Sequence, residues 1–419
     1  MDYSKMHPES LMMTYGYKPQ LSEGSLKCPI FQTSTFVFNS AMEGKRFFEV
    51  AYGLSEQKEG EEMGLIYSRL NNPDLEILEN RLCLWDKAED CAVFESGMSA
   101  IATAMMEIIE PGELLVYSRP VYGGTDHFIN HFLKKLNIAS VGFSPMDSKE
   151  DIMAMIEASG RADKLAMIHI ETPANPTNAL IDIDMCAEIK THYQNQNSKE
   201  VILSVDNTYM GPIWQHPLNH GADLVIYSAT KYIGGHSDVI AGACLGSKGH
   251  MARVKGLRTF LGNMAAPFTG WMLMRSLETL KVRMEQQAKN AVEVANFLKG
   301  HPKVEKVYFL GFIPTDGSER EKEIYARQYE SSGAMIAFDV KGGEAEAFRF
   351  LDNLQLIKLA VSLGGTESLA EHPYTMTHAD VPQDIKNAMS ITEKLVRVSV
   401  GVEHYEDTIA DISQALDKM

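Results

Sequence analysis

The chain has 419 residues, 45% of them hydrophobic and 23% charged, with a formal net charge of −17. That length exceeds one small core and suggests two or three lobes, while the acidic balance argues against a surface that tracks nucleic-acid phosphates, which needs a basic excess. The five cysteines, Cys28, Cys83, Cys91, Cys186 and Cys244, are odd in number and lack C-x-x-C spacing, so reduced buried thiols and no metal site are expected. The start, Met1-Asp2-Tyr3-Ser4-Lys5, shows no signal-peptide apolar run, and no stretch is apolar enough to span a bilayer, which points to the cytoplasm.

Residues 1–72 lack sustained periodicity and carry an acidic stretch from Glu56 to Glu62. They read as an extended arm that wraps another subunit. Residues 73–280 alternate between helical stretches and short apolar runs: Leu114–Tyr117, Leu165–Ile170, Val201–Val205, Leu224–Tyr227 and Ile240–Leu245. Near-continuous apolar runs suit strands buried on both faces, so an α/β fold with a mostly parallel central sheet flanked by helices is predicted. A long helix begins near Leu277, with Leu277, Leu280, Met284, Ala288, Ala291, Ala295 and Leu298 on one face, and stops at Gly300 and Pro302. Residues 281–419 then form a smaller α+β domain, with strands at Ala334–Val340 and Leu395–Val400 and helices near Glu344–Asn353 and Tyr405–Lys418.

Ligands of open α/β sheets bind beyond the carboxyl ends of the strands. Three predicted strands in succession deliver polar groups there: Glu171-Thr172-Pro173-Ala174-Asn175-Pro176-Thr177, Asp206-Asn207-Thr208 and Ser228-Ala229-Thr230-Lys231. Singly these are ordinary, since a lone lysine is usually a solvated surface residue and a strand-end aspartate usually a cap. Jointly they meet the needs of pyridoxal 5′-phosphate. Lys231 supplies an amine for a Schiff base. Asp206 favours a protonated pyridine nitrogen. Ser228 and Thr230 offer hydroxyls to a phosphate, Ser96-Gly97-Met98 opens a helix ending near Ile109 whose N-terminus suits an anion, and Gly97 permits close approach. Tyr122, after the strand Leu114–Tyr117, can stack on a ring.

At these residues the sequence resembles the Cys/Met-metabolism family of pyridoxal-phosphate enzymes, which includes cystathionine γ-synthase, cystathionine γ-lyase, methionine γ-lyase and homoserine-ester sulfhydrylases. The matching segments run in order over nearly the whole chain. They include Tyr67-Ser68-Arg69, Ser96-Gly97-Met98, Tyr122-Gly123-Gly124-Thr125, Ser228-Ala229-Thr230-Lys231-Tyr232, Gly235-His236-Ser237-Asp238, Ser362-Leu363-Gly364-Gly365, Met376-Thr377-His378 and Arg397-Val398-Ser399-Val400-Gly401. The resemblance implies a fold-type I transferase fold. It implies that Lys231 carries the cofactor and shuttles protons, that Asp206 pairs with the pyridinium, and that Tyr122 stacks on the ring and protonates the leaving sulfur. It assigns Gly97, Met98, Ser228 and Thr230 to the phosphate, with Tyr67 and Arg69 reaching the phosphate of a neighbouring subunit. The expected assembly is a homodimer with shared active sites, within a homotetramer. Arg397, with Ser362 and Asn175, is expected to take the carboxylate of a small amino-acid substrate.

Within the family, Val361 stands where cystathionine-handling relatives tend to carry Glu, and an apolar residue there suits an uncharged thioether. The stretch Lys358–Gly364 and the insert Phe47–Ile66 also resemble methionine γ-lyases. Gly124 instead resembles synthases and cystathionine lyases. The sequence therefore leans to methionine γ-lyase, with cystathionine γ-synthase and cystathionine γ-lyase as alternatives, and a non-catalytic binding protein of the same fold as an alternative of another class. Other readings fail on their companion motifs. Ser228-x-x-Lys231 lacks the S-D-N and K-T-G elements of penicillin-binding enzymes. No Gly-x-Gly occurs for a dinucleotide fold, and Pro217 interrupts the His216–His220 pair.

Overall fold

The computed structural model describes residues 3–61 and 63–419. Met1 and Asp2 of the N-terminal stretch, and Glu62 at the end of the acidic run, lie outside the described residues. Seven strands form the larger sheet: β1 (Asp90–Phe94), β2 (Leu114–Ser118), β3 (Ala139–Phe143), β4 (Leu165–Glu171), β5 (Ile202–Asp206), β6 (Leu224–Tyr227) and β7 (Gly242–Gly246). Their order is β1-β7-β6-β5-β4-β2-β3. The pairs from β6 through β3 are parallel, while β7 runs antiparallel to both its neighbours. Every residue of β2, β4, β5 and β6 is buried, which is why these strands read as near-continuous apolar runs.

Alternate residues feed different cores. Leu224 and Ile226 of β6 pack toward the helices Gly97–Ile108 and Lys248–Leu261, whereas Val225 and Tyr227 face the core that holds the helix Pro73–Asp86. A third apolar cluster lies under the helices Lys149–Ala158 and Ile183–Asn197.

The second sheet holds β8 (Val304–Tyr308), β9 (Met335–Val340), β10 (Lys358–Leu359), β11 (Leu369–Glu371) and β12 (Leu395–Ser399), ordered β10-β11-β12-β9-β8. Its pairs are antiparallel except β10–β11. The helices Glu344–Asp352 and Tyr405–Asp417 bury Phe350, Leu351, Ile412 and Leu416 in the same core that continues along the long helix to Leu298.

That helix differs from the sequence reading. Leu277 ends one helix, Pro267–Leu277, and a second, Leu280–Gly300, begins after Glu278 and Thr279. The break frees backbone carbonyls, and the buried guanidinium of Arg283 takes one of them: it donates to Ser276 O at 3.0 Å and also to Tyr232 O at 2.9 Å. The arm differs too. It contains an eleven-residue helix, Ala41–Ala51, whose start is capped by Ser40 accepting from the Glu43 amide. The insert after it is closed by an Arg46–Glu61 ion pair at 2.6 Å.

Candidate active site

The carboxyl ends of β4, β5 and β6 converge on a cavity of about 250 Å³. Parallel register places Glu171, the last residue of β4, directly beside Asp206, the last residue of β5. Both carboxylates are 6% exposed. Asp206 accepts from the Thr208 amide at 3.0 Å. Glu171 accepts from the Tyr122 amide at 2.6 Å and the Asn175 amide at 3.1 Å. Burial, and then the charge of Asp206, pushes the Glu171 carboxyl up, and burial pushes Asp206 up as well. Two buried acids side by side favour a cationic group brought against them.

Lys231 follows β6 and reaches across the cavity, its Nζ 3.1 Å from Ser362 Oγ. Burial, then the positive charge of Arg397, pushes the lysine amine down, which raises the fraction present as a nucleophile. Arg397 Nη2 donates to the Ser362 carbonyl and Nη1 donates to Asn175 Oδ1, each at 2.9 Å. Lysine amine and guanidinium thus both bond one serine.

The anion end is built by the helix Gly97–Ile108. Ser96 caps it by accepting from the Ser99 amide at 3.0 Å. A Cβ on Gly97 would lie 2.8 Å from Ser228 Cβ, so glycine is required for the helix start to approach the loop after β6. Thr208 Oγ1 accepts from the Ser228 amide at 2.7 Å, and Thr230 Oγ1 bridges to Ala241 at 3.0 and 3.2 Å. Tyr122, 46% exposed, presents its ring at the open side. A Cβ on Gly124 would sit 2.6 Å from Tyr122 Cε1, so that glycine leaves room for the ring.

The structure therefore gathers Lys231, Asp206, Gly97, Met98, Ser228, Thr230, Tyr122 and Asn175 around one cavity. Ser362 and Arg397 join it through contacts with Lys231 and Asn175. Tyr67, Arg69 and Val361 do not line it within one chain; Arg69 donates to Thr259 O at 2.8 Å, and Val361 is 58% exposed. Sequence reasoning gave no role to Glu171, Tyr209, Ile240 or Leu363, which also line the cavity. For Glu171 the signal was present: a carboxylate ending a run that is apolar but for His169, one strand from Asp206. Among the described residues, no cluster of three or more metal-ligating side chains occurs.

A buried acid with no cation among its partners, a buried amine of lowered basicity and a helix start with no room for a Cβ together fit pyridoxal 5′-phosphate. The α/β architecture and this site define the chain as a pyridoxal-phosphate-dependent enzyme. Residues 9–417 match the family described as Cys/Met metabolism PLP-dependent enzyme, and the chain belongs to that family. It is 38% identical over 398 residues to an L-methionine gamma-lyase of Fusobacterium nucleatum subsp. nucleatum, covering 94% of each chain. It is 36% identical over 415 residues to the cystathionine gamma-lyase of Bacillus subtilis, covering 99% of this chain and 100% of that one. Its fold matches a crystal structure of cystathionine gamma synthase from Xanthomonas oryzae pv. oryzae, with a TM-score of 0.86 at 30% identity, covering 99% of this chain and 98% of the other.

Proposed function

We propose that this enzyme is a carbon–sulfur lyase that cleaves L-methionine by γ-elimination, consuming water and yielding methanethiol, 2-oxobutanoate and ammonia. One observation carries the reading: the Lys231 amine and the Arg397 guanidinium both bond Ser362, one at its hydroxyl and one at its carbonyl, as an α-amino acid held by its carboxylate beside a proton-accepting lysine requires. When bound, pyridoxal phosphate supplies the electron sink that makes the Cα proton of an amino acid removable. Lys231, Asp206, Gly97, Met98, Ser228 and Thr230 would hold it. Lys231 Nζ would take a proton from Cα and then one from Cβ, whose loss lets the sulfur depart from Cγ, and protons are afterwards returned at Cγ and Cβ. Asp206 keeps a proton on the ring nitrogen. The Tyr122 hydroxyl delivers a proton to the departing sulfur. Asn175, Ser362 and Arg397 hold the substrate carboxylate. The apolar side chains of Met98, Ile240 and Leu363 around the cavity, with Val361 beside Ser362, suit a thioether that carries no charge.

A second reading, cleavage or formation of cystathionine, is favoured by Gly124 and by the cystathionine gamma-lyase relative. In either reading Tyr67 and Arg69, exposed on the arm, would complete the phosphate site of a second subunit, so the working unit would be a homodimer within a tetramer. The five cysteines are free thiols, which supports a reducing, cytoplasmic setting. The purified holoenzyme is to be given methionine, cystathionine, or an O-acylhomoserine with cysteine, and the products identified. Methionine is expected to give methanethiol and 2-oxobutanoate. Untouched methionine, with cystathionine formed from the acylhomoserine, overturns the assignment.

A further inference from the structure

Glu371 has no part in the chemistry above, yet it lies directly across the antiparallel β11–β12 ladder from Arg397. Arg397 Nη1 is 2.7 Å from Glu371 Oε1, with the two side chains 4% and 0% exposed. The same oxygen accepts from Thr377 Oγ1 at 3.2 Å, and that hydroxyl is 3.0 Å from His378 Nδ1. The Met376-Thr377-His378 motif thus backs the arginine through Glu371. Glu371 Oε2 and Arg397 Nε are both buried without partners. The guanidinium that bonds Asn175 and the Ser362 carbonyl is therefore paired with a carboxylate of the chain itself, with bonding capacity left over on each partner.

We propose that Glu371 is a positioning residue that holds Arg397 with an internal counter-charge and so sets how tightly an α-carboxylate binds. This rests on the reading of Arg397 as the carboxylate-binding group. A buried guanidinium with no counter-charge is costly, so Glu371 keeps the arginine ordered before a ligand arrives. The same negative charge repels a second carboxylate brought to the same guanidinium. Affinity for the substrate carboxylate is traded for a preformed site.

The test is calorimetric titration of the holoenzymes of wild type, Glu371→Gln and Glu371→Asp with two probes. Norleucine replaces the sulfur of methionine with a methylene and cannot undergo the elimination. Pentylamine is norleucine without its carboxylate. Glu371→Gln keeps the side-chain size and removes the charge, and it is expected to bind norleucine about tenfold more tightly, the scale of one buried charge contact. Glu371→Asp withdraws the charge from Nη1 by one methylene and is expected to shift norleucine in the same direction by less. Pentylamine, which reads only what the Glu371 charge passes to Lys231, is expected to change much less than norleucine across all three, a selectivity that a purely structural role for Glu371 would not produce. If the glutamine variant does not fold, the aspartate variant decides on the same two ligands. Equal norleucine affinity across the folded proteins, weaker binding in the variants, or a parallel change for both probes overturns the inference while leaving the amino-acid site intact. Failure of the wild type to bind norleucine at all overturns both.

Discussion

The Asp86 carboxyl is buried at the end of the helix Pro73–Asp86, and the Tyr227 hydroxyl meets its two oxygens at 3.0 and 2.9 Å. Tyr227 in turn accepts from Asn207 Nδ2 at 2.9 Å, one residue from Asp206. Burial pushes Asp86 up to about 7. A carboxyl raised in the folded state holds its proton more firmly there than in the unfolded chain. Its contribution to stability is therefore fully present below the unfolded value, near 3.9, and is lost as pH rises through about 7. The ceiling on that loss is on the order of 4 kcal/mol. Asp86→Asn has no such titration. Measured by urea unfolding, the stability of the wild type relative to this variant is expected to fall between pH 4 and 7 and to level off above. A difference that stays flat over that range would show that Asp86 titrates normally. Nothing in the sequence marks Asp86, because its partner is 141 positions away. Lys231 and Asp206 were legible for a local reason: each follows or ends an apolar run whose direction is set by the parallel sheet.

Elements were legible where burial is uniform. β2, β4, β5 and β6 lie inside the larger sheet and are buried throughout, so their sequences are nearly continuous in apolar residues. β11 has three residues and β10 two, too few for a period to show, and β11 carries Glu371. The helix Ala41–Ala51 buries only Gly44 and leaves Met42 71% exposed, so no core contact accompanies its apolar spacing. The break between Leu277 and Leu280 has no proline or glycine, and is met by Arg283 bonding the Ser276 carbonyl from seven residues away. The helix Gly97–Ile108 was read correctly from Ser96 and Gly97, and its start can be tested as a unit. Gly97→Ala places a methyl 2.8 Å from Ser228 Cβ and 3.0 Å from Ser228 Cα, so the helix must retreat from the loop that carries Ser228. Cofactor retention, followed by absorbance during dialysis, is expected to weaken about tenfold or more, because amides at a helix start hold a phosphate only at contact distance. Retention equal to the wild type would remove the phosphate from this helix.

At the scale of the whole molecule, the arm ends in residues that the single chain leaves outside the cavity. Tyr67 is 40% exposed and is tied to the arm by a bridge with Thr35. Arg69 is bonded to Thr259, beside Phe260, which is 84% exposed, and Leu261, which is 48% exposed. Apolar side chains of this size on the surface, with Ile240 of the cavity lining also 69% exposed, suit burial against a second copy related by a two-fold axis. If each site draws Lys231 from one subunit and Tyr67 with Arg69 from the other, two inactive variants can repair each other. Lys231→Ala subunits keep a native arm, and Arg69→Ala subunits keep a native lysine. Unfolded together, refolded with cofactor and assayed, an equal mixture pairs at random. Half of the dimers are then hybrids with one native site of two, so activity is expected to return to about a quarter of the wild-type value. Each variant refolded alone stays near its own low level. A mixture that gives only the mean of the two separate activities would mean that every site is built from one chain, and the arm would then need another role.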